Sequence, residues 1–452
     1  MKLSIHILTA LPPHNVNRDE SGRPKTAEIG GVLRGRISSQ ARKRALRMSP
    51  HLDAGQRSIR TRELGIKVFR DLTADGEGSF KGHDVAAAYI ALLVNYGIGA
   101  DKVIPSVNDA CRAVGEPERE PTKGKKKKSD ASEDAEGEAS GKGKAKTSEQ
   151  AFAERVEAEA AAKRISPEEA CVAVIEDNLK AKQSLVVSRI EFERAKEIVA
   201  DARRKRAEGG DPDAIVGEVR DRVRDHGLLT DDDHDLDLGL FGRMVATAPG
   251  FTVEGAATVG HAFTVASFDT QADYFSAGEE LNVLKGTGAA ITDFAYFGTG
   301  TYYQHAVLDV ATLRHNLSRG RDRAAAERLT TEAVELFVKG LIYSLPKGKR
   351  TGFASDVLPR YVLVRAAPDD EPVSNLGFAF FKPIEANGQD EIRLAIETLE
   401  AFDREQAKAY GLKGEALRFN AHHPARAGRN HPAEDETWDV SDVVAFARRM
   451  AA

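Results

Sequence analysis

Strand-like patterning at both ends of the chain, separated by a long block patterned for helices, constrains this sequence more than any other feature. Residues 1–10 alternate Leu3, Ile5 and Ile7 against Ser4, His6 and Leu8, the period of a strand. From about 55 to 235 the spacing turns helical, in stretches such as SIRTRELGIKVFRDL, GHDVAAAYIALLVNYGI and SRIEFERAKEIVADARRKRAE. Beyond the acidic stretch Thr230–Asp237 the chain breaks into short apolar runs with glycines: LGLFGRMVATA, GAATVGHAFTVASF, ITDFAYFGTGTYYQHAVLDV and DVLPRYVLVRAA read as strands. Helices are expected over RAAAERLTTEAVELFVKGLIYS, IRLAIETLEAFDREQAKAYG and the closing DVSDVVAFARRMAA. The fold class is therefore α+β. One discontinuous domain spans 1–54 and 238–452, and a helical domain, 55–237, is inserted into it.

With 452 residues and 41% apolar content the chain can build a sizeable core. No apolar run reaches about eighteen residues, so no membrane partner is expected. The N-terminus lacks a small-residue cleavage site, and Cys111 and Cys171 lie too far apart in sequence for a disulfide framework or zinc cage. The cytoplasm is the expected location. Residues 115–149, GEPEREPTKGKKKKSDASEDAEGEASGKGKAKTSE, hold almost no aliphatic and no aromatic side chain, and read as a disordered insertion. Its GKGKAKTS lacks phosphate-loop spacing and a preceding strand.

Charge is uneven. The net charge is −5, yet residues 1–70 carry fifteen Lys/Arg against five acids. A concentrated positive patch on an acidic protein suits phosphate binding. Its centre is RGRISSQARKRALR, Arg34–Arg47, which follows a long polar loop over 11–33. Arg34–Ile37 resumes a strand, and Ser38 or Ser39 caps a helix to about Met48. Gln40, Lys43 and Arg47 then share one polar face, with Ala41, Ala45 and Met48 turned to the core. Arg36 and the serine hydroxyls meet at the helix N-terminus, whose free N–H groups favour anions. An ordinary solvated helix face is the alternative. Pro346-Lys347-Gly348-Lys349-Arg350 is a second basic loop, and Lys349 and Arg350 are candidate phosphate contacts.

Catalytic patterns are weak. The twelve histidines form no HExxH, and Asp231, Asp232, Asp233, His234, Asp235 and Asp237 lack the glycine and glutamate spacing of a calcium loop, so an exposed linker is expected. Nothing requires a metal or cofactor. Asp19 beside Arg18 is a turn former or, alternatively, one carboxylate of a metal-dependent RNA cleavage site. Gly298-Thr299-Gly300 reads as a hairpin turn; Tyr296, Phe297, Tyr302 and Tyr303 around it could stack bases or lie in the core.

The order of several motifs resembles a known family. A first strand leads to Asn17-Arg18-Asp19, then Gly30-Gly31, then R-I-S-S-Q-x-x-K-R at Arg36–Arg44. G-R-M-x-A-T follows at Gly242–Thr247, HAxT at His261–Thr264, Y-F-S-A-G-E-E-L at Tyr274–Leu281 and F-G-T-G-T-Y-Y at Phe297–Tyr303. Together they resemble the backbone subunit of the type I-E CRISPR Cascade complex, the CasC (Cse4) family. The resemblance implies a ferredoxin-like (RRM-like) palm, helical fingers supplied by the insertion, and a protruding thumb hairpin at about 267–292. It implies a non-enzymatic subunit that stacks copies of itself along a guide RNA (crRNA). Such a subunit would meet other Cascade subunits and present guide bases to target DNA. Carried over by motif, Arg18, Lys25, Ser38, Gln40, Lys43 and Arg47 would contact the guide backbone. Met244, after Arg243, would wedge near a kinked nucleotide, and Ser276 would lie on the thumb. The lysine-rich tract and Gly278 depart from the family pattern.

Overall fold

The computed structural model describes residues 1–52, 57–73, 148–166, 169–170, 173–174, 184–225, 227–245, 249–278, 291–422 and 431–452. In chain order its elements begin β1 (Lys2–His14), β2 (Thr26–Ile29), β3 (Val32–Ile37), α1 (Ser39–Arg47), β4 (Ile59–Thr61) and α2 (Leu64–Thr73). There follow α3 (Ser148–Lys163), β5 (Leu185–Val187), α4 (Arg189–Ala207), α5 (Pro212–Asp225) and α6 (Leu236–Phe241). Next come β6 (Ala257–Val259), β7 (Ala262–Thr264), β8 (Gln271–Ala277), β9 (Ile291–Asp309), α7 (Val310–Ser318), α8 (Arg323–Tyr343) and the single turn α9 (Arg350–Phe353). The chain ends with β10 (Tyr361–Ala367), a 3₁₀ turn (Leu376–Phe380), α10 (Glu391–Tyr410), β11 (Ala416–Asn420), β12 (Glu436–Thr437) and α11 (Val440–Ala451). Contacts divide it into two compact units: Met1–Arg57 with Asp232–Gly242 and Val253–Ala452, and Ser58–Asp231 with Arg243–Thr252.

The first unit is mixed α and β around one sheet, in the order β12-β11-β10-β1-β9-β7-β3-β2, with β6 and β8 also pairing with β9. All its ladders are antiparallel except β11–β12. β1 lies at the centre, where Ile5 sits opposite Val364 on one side and Ala306 on the other. Its alternation builds two cores. Leu3, Ile5 and Ile7 join Leu313, Phe337, Val338 and Phe446 of α7, α8 and α11. Leu8, pointing the other way, joins Tyr303, Tyr361, Phe380 and Ile396. Each of these buried aliphatic side chains contributes about 2 kcal/mol.

The second side of β1 also holds a polar line. His305 and His6 stack at 4.6 Å, and Ser4 Oγ lies 3.0 and 2.9 Å from their Nε2 atoms. His6 Nδ1 lies 2.8 Å from the Tyr303 hydroxyl, which donates to Asn375 Oδ1 at 3.1 Å. Because that hydroxyl spends its hydrogen on Asn375, His6 Nδ1 is the donor to it. His6 Nε2 then accepts from Ser4, and Ser4 accepts from His305.

Three sequence expectations change. LGLFGRMVATA was expected as a strand, but Leu236–Phe241 is helix α6. Its apolar residues at 236, 238 and 240 mimic strand alternation, and Gly242 at φ +70° ends it where a Cβ would strike the Val253 carbonyl. Gly298-Thr299-Gly300 is no turn: β9 runs straight through it. Gly298 is required there because the Phe268 ring leaves no room for a Cβ. The loop expected over 11–33 is largely the end of β1 and the β2–β3 hairpin, with an Arg18–Pro24 bridge between. Tyr302 and Tyr303 are core residues, 3% and 1% exposed.

In the second unit β4 and β5 pair antiparallel, and α4 buries Phe192, Ile198, Val199 and Ala202. Helix α4 begins with a capping box: Ser188 Oγ accepts from the Glu191 N–H, and Glu191 Oε2 accepts from the Ser188 N–H at 2.7 Å. The helix expected over GHDVAAAYIALLVNYGI and residues 115–147 of the tract at 115–149 lie outside the described residues, while the last two, 148 and 149, begin α3. Among the described residues no helix is long and apolar enough to cross a membrane.

Candidate nucleic-acid interface

Strand β3 delivers the chain to Ser38, which caps α1 by accepting from the Ala41 N–H at 3.3 Å. The helix entry is built by two further side chains. Asn17 Oδ1 accepts from the Ser38 N–H at 2.9 Å, and His261 Nδ1 accepts from the Ser39 N–H at 3.1 Å. Ser39 Oγ donates to the Val259 carbonyl at 2.6 Å. The helix N-terminus expected to offer free N–H groups to an anion is thus largely satisfied from within. Ser38 itself is buried, so it acts as the cap; the charge at this end comes from side chains around it.

The basic segment has an inside and an outside. Arg34, expected at a phosphate, is fully buried: its guanidinium donates to the carbonyls of Thr264 at 2.7 Å and Phe380 at 3.0 Å. Arg42 is buried too, and donates to the Ser344 carbonyl and to that of Leu341 at 2.9 Å. A cation there complements the negative end of α8. Arg47 is half-buried, and its Nε meets the buried Asp237 carboxylate at 2.7 Å. The acidic stretch is therefore not a bare linker. Asp237 lies in the core, and Asp233 pairs with Arg321 at 3.5 Å. The core-facing side of α1 is Arg42 and Leu46, while Met48, expected inward, is 52% exposed.

Facing out on α1 are Gln40 and Arg44, with Lys43 half-buried and its ammonium 5.9 Å from the Phe241 ring centre. Burial lowers the Lys43 pKa from its ordinary value. Beside the helix entry stand Arg36, whose Nη1 lies 3.5 Å from His261 Nδ1, and Lys25, whose N–H donates to the Asn17 carbonyl at 2.9 Å. Arg18 is exposed on the adjoining turn and lines, with Asp19, Glu20, Ser21 and Lys25, an open concavity of about 630 Å³. Asp19 Oδ1 accepts from Ser21 Oγ at 2.8 Å and from the Arg23 N–H at 2.9 Å, as a turn former does. The Ser21 bond, followed by the backbone bonds and Arg23, keeps its carboxyl below the usual range. Among the described residues no group of three or more His, Cys, Asp or Glu is placed to hold a metal ion.

The basic loop Pro346–Arg350 docks on the end of β1, where Gly348 lies against the Asn15 and Val16 carbonyls too closely for a Cβ. It thereby stands next to Asn17 and Arg18 in the chain path. Lys347 is exposed, Lys349 adopts a left-handed φ of +46°, and Arg350 pairs with Asp356. Ser276 lies on β8, all seven residues of which are exposed. β8 pairs with Ile291–Phe297, and Tyr274 stands edge-on to Phe294 at 5.5 Å.

Two candidates belong to the second unit. Arg243 is buried, not nucleic-acid-facing: its Nη1 lies 2.8 Å from both Glu191 carboxylate oxygens, and the Phe251 and Thr230 carbonyls accept its other N–H groups. Met244, beside it, is 70% exposed.

The family model for CT1975-like protein matches residues 3–445, nearly the whole chain. The chain belongs to the CT1975-like family. No curated protein matches it. Its fold is similar to that of a solved chain described as "CRISPR RNA-guided surveillance complex, pre-nicking", with TM-score 0.68, 20% identity and complete coverage of both chains. A chain of another "CRISPR RNA-guided surveillance complex" matches with TM-score 0.59 and 18% identity over 99% of each. For this CT1975-like protein those matches establish a shared fold.

Three residues of the interface were named in the sequence only as parts of motifs, with no role assigned to them. Arg44 shares the outer face with Gln40, Lys43 and Arg47, and the i, i+3, i+4, i+7 rule would have found it. Asn17 and His261 act on α1 from 21 and 222 residues away, and no local pattern announces those bonds.

Proposed function

We propose that this CT1975-like protein is a structural subunit of a Cascade-type surveillance complex, of type I-E, which binds the guide RNA backbone and has no catalysis of its own. The observation that carries this reading is the outward group Arg18, Lys25, Arg36, Gln40, Lys43 and Arg44. These residues gather around a helix entry whose Ser38, Ser39 and Ala41 N–H groups are already tied down, leaving side-chain cations to meet phosphate oxygens. The family membership and the shared fold support it. In this reading the sheet of the first unit is the RRM-like palm, the second unit the fingers, and the exposed β8–β9 hairpin with Ser276 the thumb. Met244 and the Lys347–Arg350 loop are further contacts. Copies stack along the guide and leave its bases free to pair with target DNA, so base pairing reads the sequence while the protein holds the backbone.

The test is an Arg36→Glu/Lys43→Glu double variant, followed by the 260/280 nm absorbance of the purified protein and by titration with single-stranded RNA at several salt concentrations. The expected result is loss of co-purifying RNA and an affinity lower by about a hundredfold, from two charge reversals at phosphate contacts. Unchanged affinity and salt slope would sink the proposal.

A further inference from the structure

Between β6 and β7 the chain turns at Gly260-His261, and the turn is held by the Gly260 N–H donating to the His305 carbonyl at 2.8 Å. Its imidazole is oriented by α1. The Ser39 N–H can only donate, so Nδ1 of His261 is an acceptor and, in the neutral ring, the hydrogen is on Nε2. Arg36 Nη1 lies 3.5 Å from that same Nδ1, and the β3–β7 register, with Ile37 opposite Ala262, fixes the two side by side. The residue is exposed. Partial burial first, then the charges of Arg36 and Lys25, lower its pKa and keep the ring neutral.

We propose that His261 is a further contact to the nucleic-acid backbone, presenting Nε2–H as a neutral, pre-oriented donor to a non-bridging phosphate oxygen held by Arg36 and Lys25. This rests on the guide-binding reading above. It goes beyond it in assigning to one residue two jobs on opposite ring nitrogens: Nδ1 completes the α1 cap and Nε2 meets the ligand. A neutral donor also leaves a distinctive mark, because it adds affinity without releasing a counterion.

Two variants of the full-length chain separate the jobs, read by anisotropy with a fluorescent single-stranded RNA and by thermal unfolding. His261→Asn keeps an acceptor near the Nδ1 position and removes the outer donor. It should bind RNA about tenfold more weakly, the usual scale of a hydrogen bond to a charged group, with an unchanged melting temperature and salt slope. His261→Gln offers an N–H near the Nε2 position and loses the cap; it should keep most of the affinity and melt lower. If His261→Asn binds as tightly as wild type while Arg36→Gln binds less tightly, the His261 contact is wrong and the guide-binding reading stands. If neither substitution alters binding, both fall. A reduced salt slope in His261→Asn equal to that in Arg36→Gln would also overturn the proposal, since it would mean that His261 acts as a cation.

Discussion

Arg34 and Arg36 are two residues apart on one strand and live in different chemistries. Arg34 points into the protein and spends its guanidinium on main-chain carbonyls from β7 and from the 3₁₀ turn, whereas Arg36 lies at the surface beside an exposed histidine. The same division recurs one helix later: Arg42 caps the end of α8 from within, and Arg44 faces solvent. Half of what reads as one basic patch is thus mortar between elements. Buried cations of this kind fasten distant chain segments and fix the elements from which the outer cations project.

The largest effect expected from this contrast is on the inside. Arg34→Ala should destabilise the first unit by about 3–5 kcal/mol, because it strands buried carbonyls and leaves a cavity. Trp438, the single tryptophan, belongs to that unit, so its fluorescence during urea unfolding reports the loss. A midpoint within error of wild type would show that Arg34 is not the clamp its geometry indicates.

Buried histidines offer a second way to test the inside against the outside. Burial lowers both His14 and His305 to about 4. Among the described residues neither ring nitrogen of His14 has a hydrogen-bond partner, and His305 leads the polar line through Ser4 and His6. An unfolded histidine titrates near 6.5, so between 6.5 and about 4 the unfolded chain binds more protons than the folded one. Stability is therefore full above about pH 6.5, falls as the pH drops toward 4, and loses nothing more from these groups below that. Each accounts for about 3 kcal/mol at most. Trp438 unfolding midpoints between pH 6.5 and 5, where few carboxylates titrate, should decline in wild type and decline less steeply in a His14→Leu/His305→Gln variant, the remaining slope belonging to His6, whose burial also lowers its pKa.

The sequence carried the elements well and the side of each cation poorly, for a physical reason. Leu3, Ile5 and Ile7 announce β1 because strand alternation is local, and the helices at 323–343 and 391–410 announce themselves by their period. Whether Arg34 faces in or out depends on Thr264 and Phe380, 230 and 346 residues away. The glycines at 298 and 300 mislead in the same manner: they look like a turn and are spacers beneath Phe268 and beside Thr264. Of the proposed interface, Arg36, Gln40 and Lys43 were legible from strand and helix spacing as polar groups at one helix entry, whereas Arg18 and Lys25 came only from the family resemblance. Asn17 and His261 stood within motifs, but that they hold this entry was not legible.

On the outside the expected effects concern ligand and not fold. Arg36→Gln should weaken single-stranded RNA binding by about tenfold and shallow the salt dependence by about 0.7 in log–log slope, one phosphate's share, while the Trp438 midpoint stays put. An unfolding shift as large as that of Arg34→Ala would erase the distinction between the two arginines.

The finest division is within α1 itself, where Arg44 and Arg47 lie on the same face three residues apart. Arg47 places its charge 2.7 Å from a buried carboxylate, Asp237, so Arg47→Gln removes a cation from beside that acid and should cost about 1–3 kcal/mol of stability. Arg44 is exposed, and Arg44→Gln should leave stability within about 0.5 kcal/mol of wild type. It should weaken RNA binding about threefold, less than Arg36→Gln, because a mobile exposed side chain gives up more conformational freedom to reach a phosphate. Equilibrium unfolding and RNA titration on the same two preparations compare them directly. If Arg47→Gln proved the weaker binder and the more stable of the two, the outer face would have to be redrawn around Arg47, with Asp237 as its positioning group.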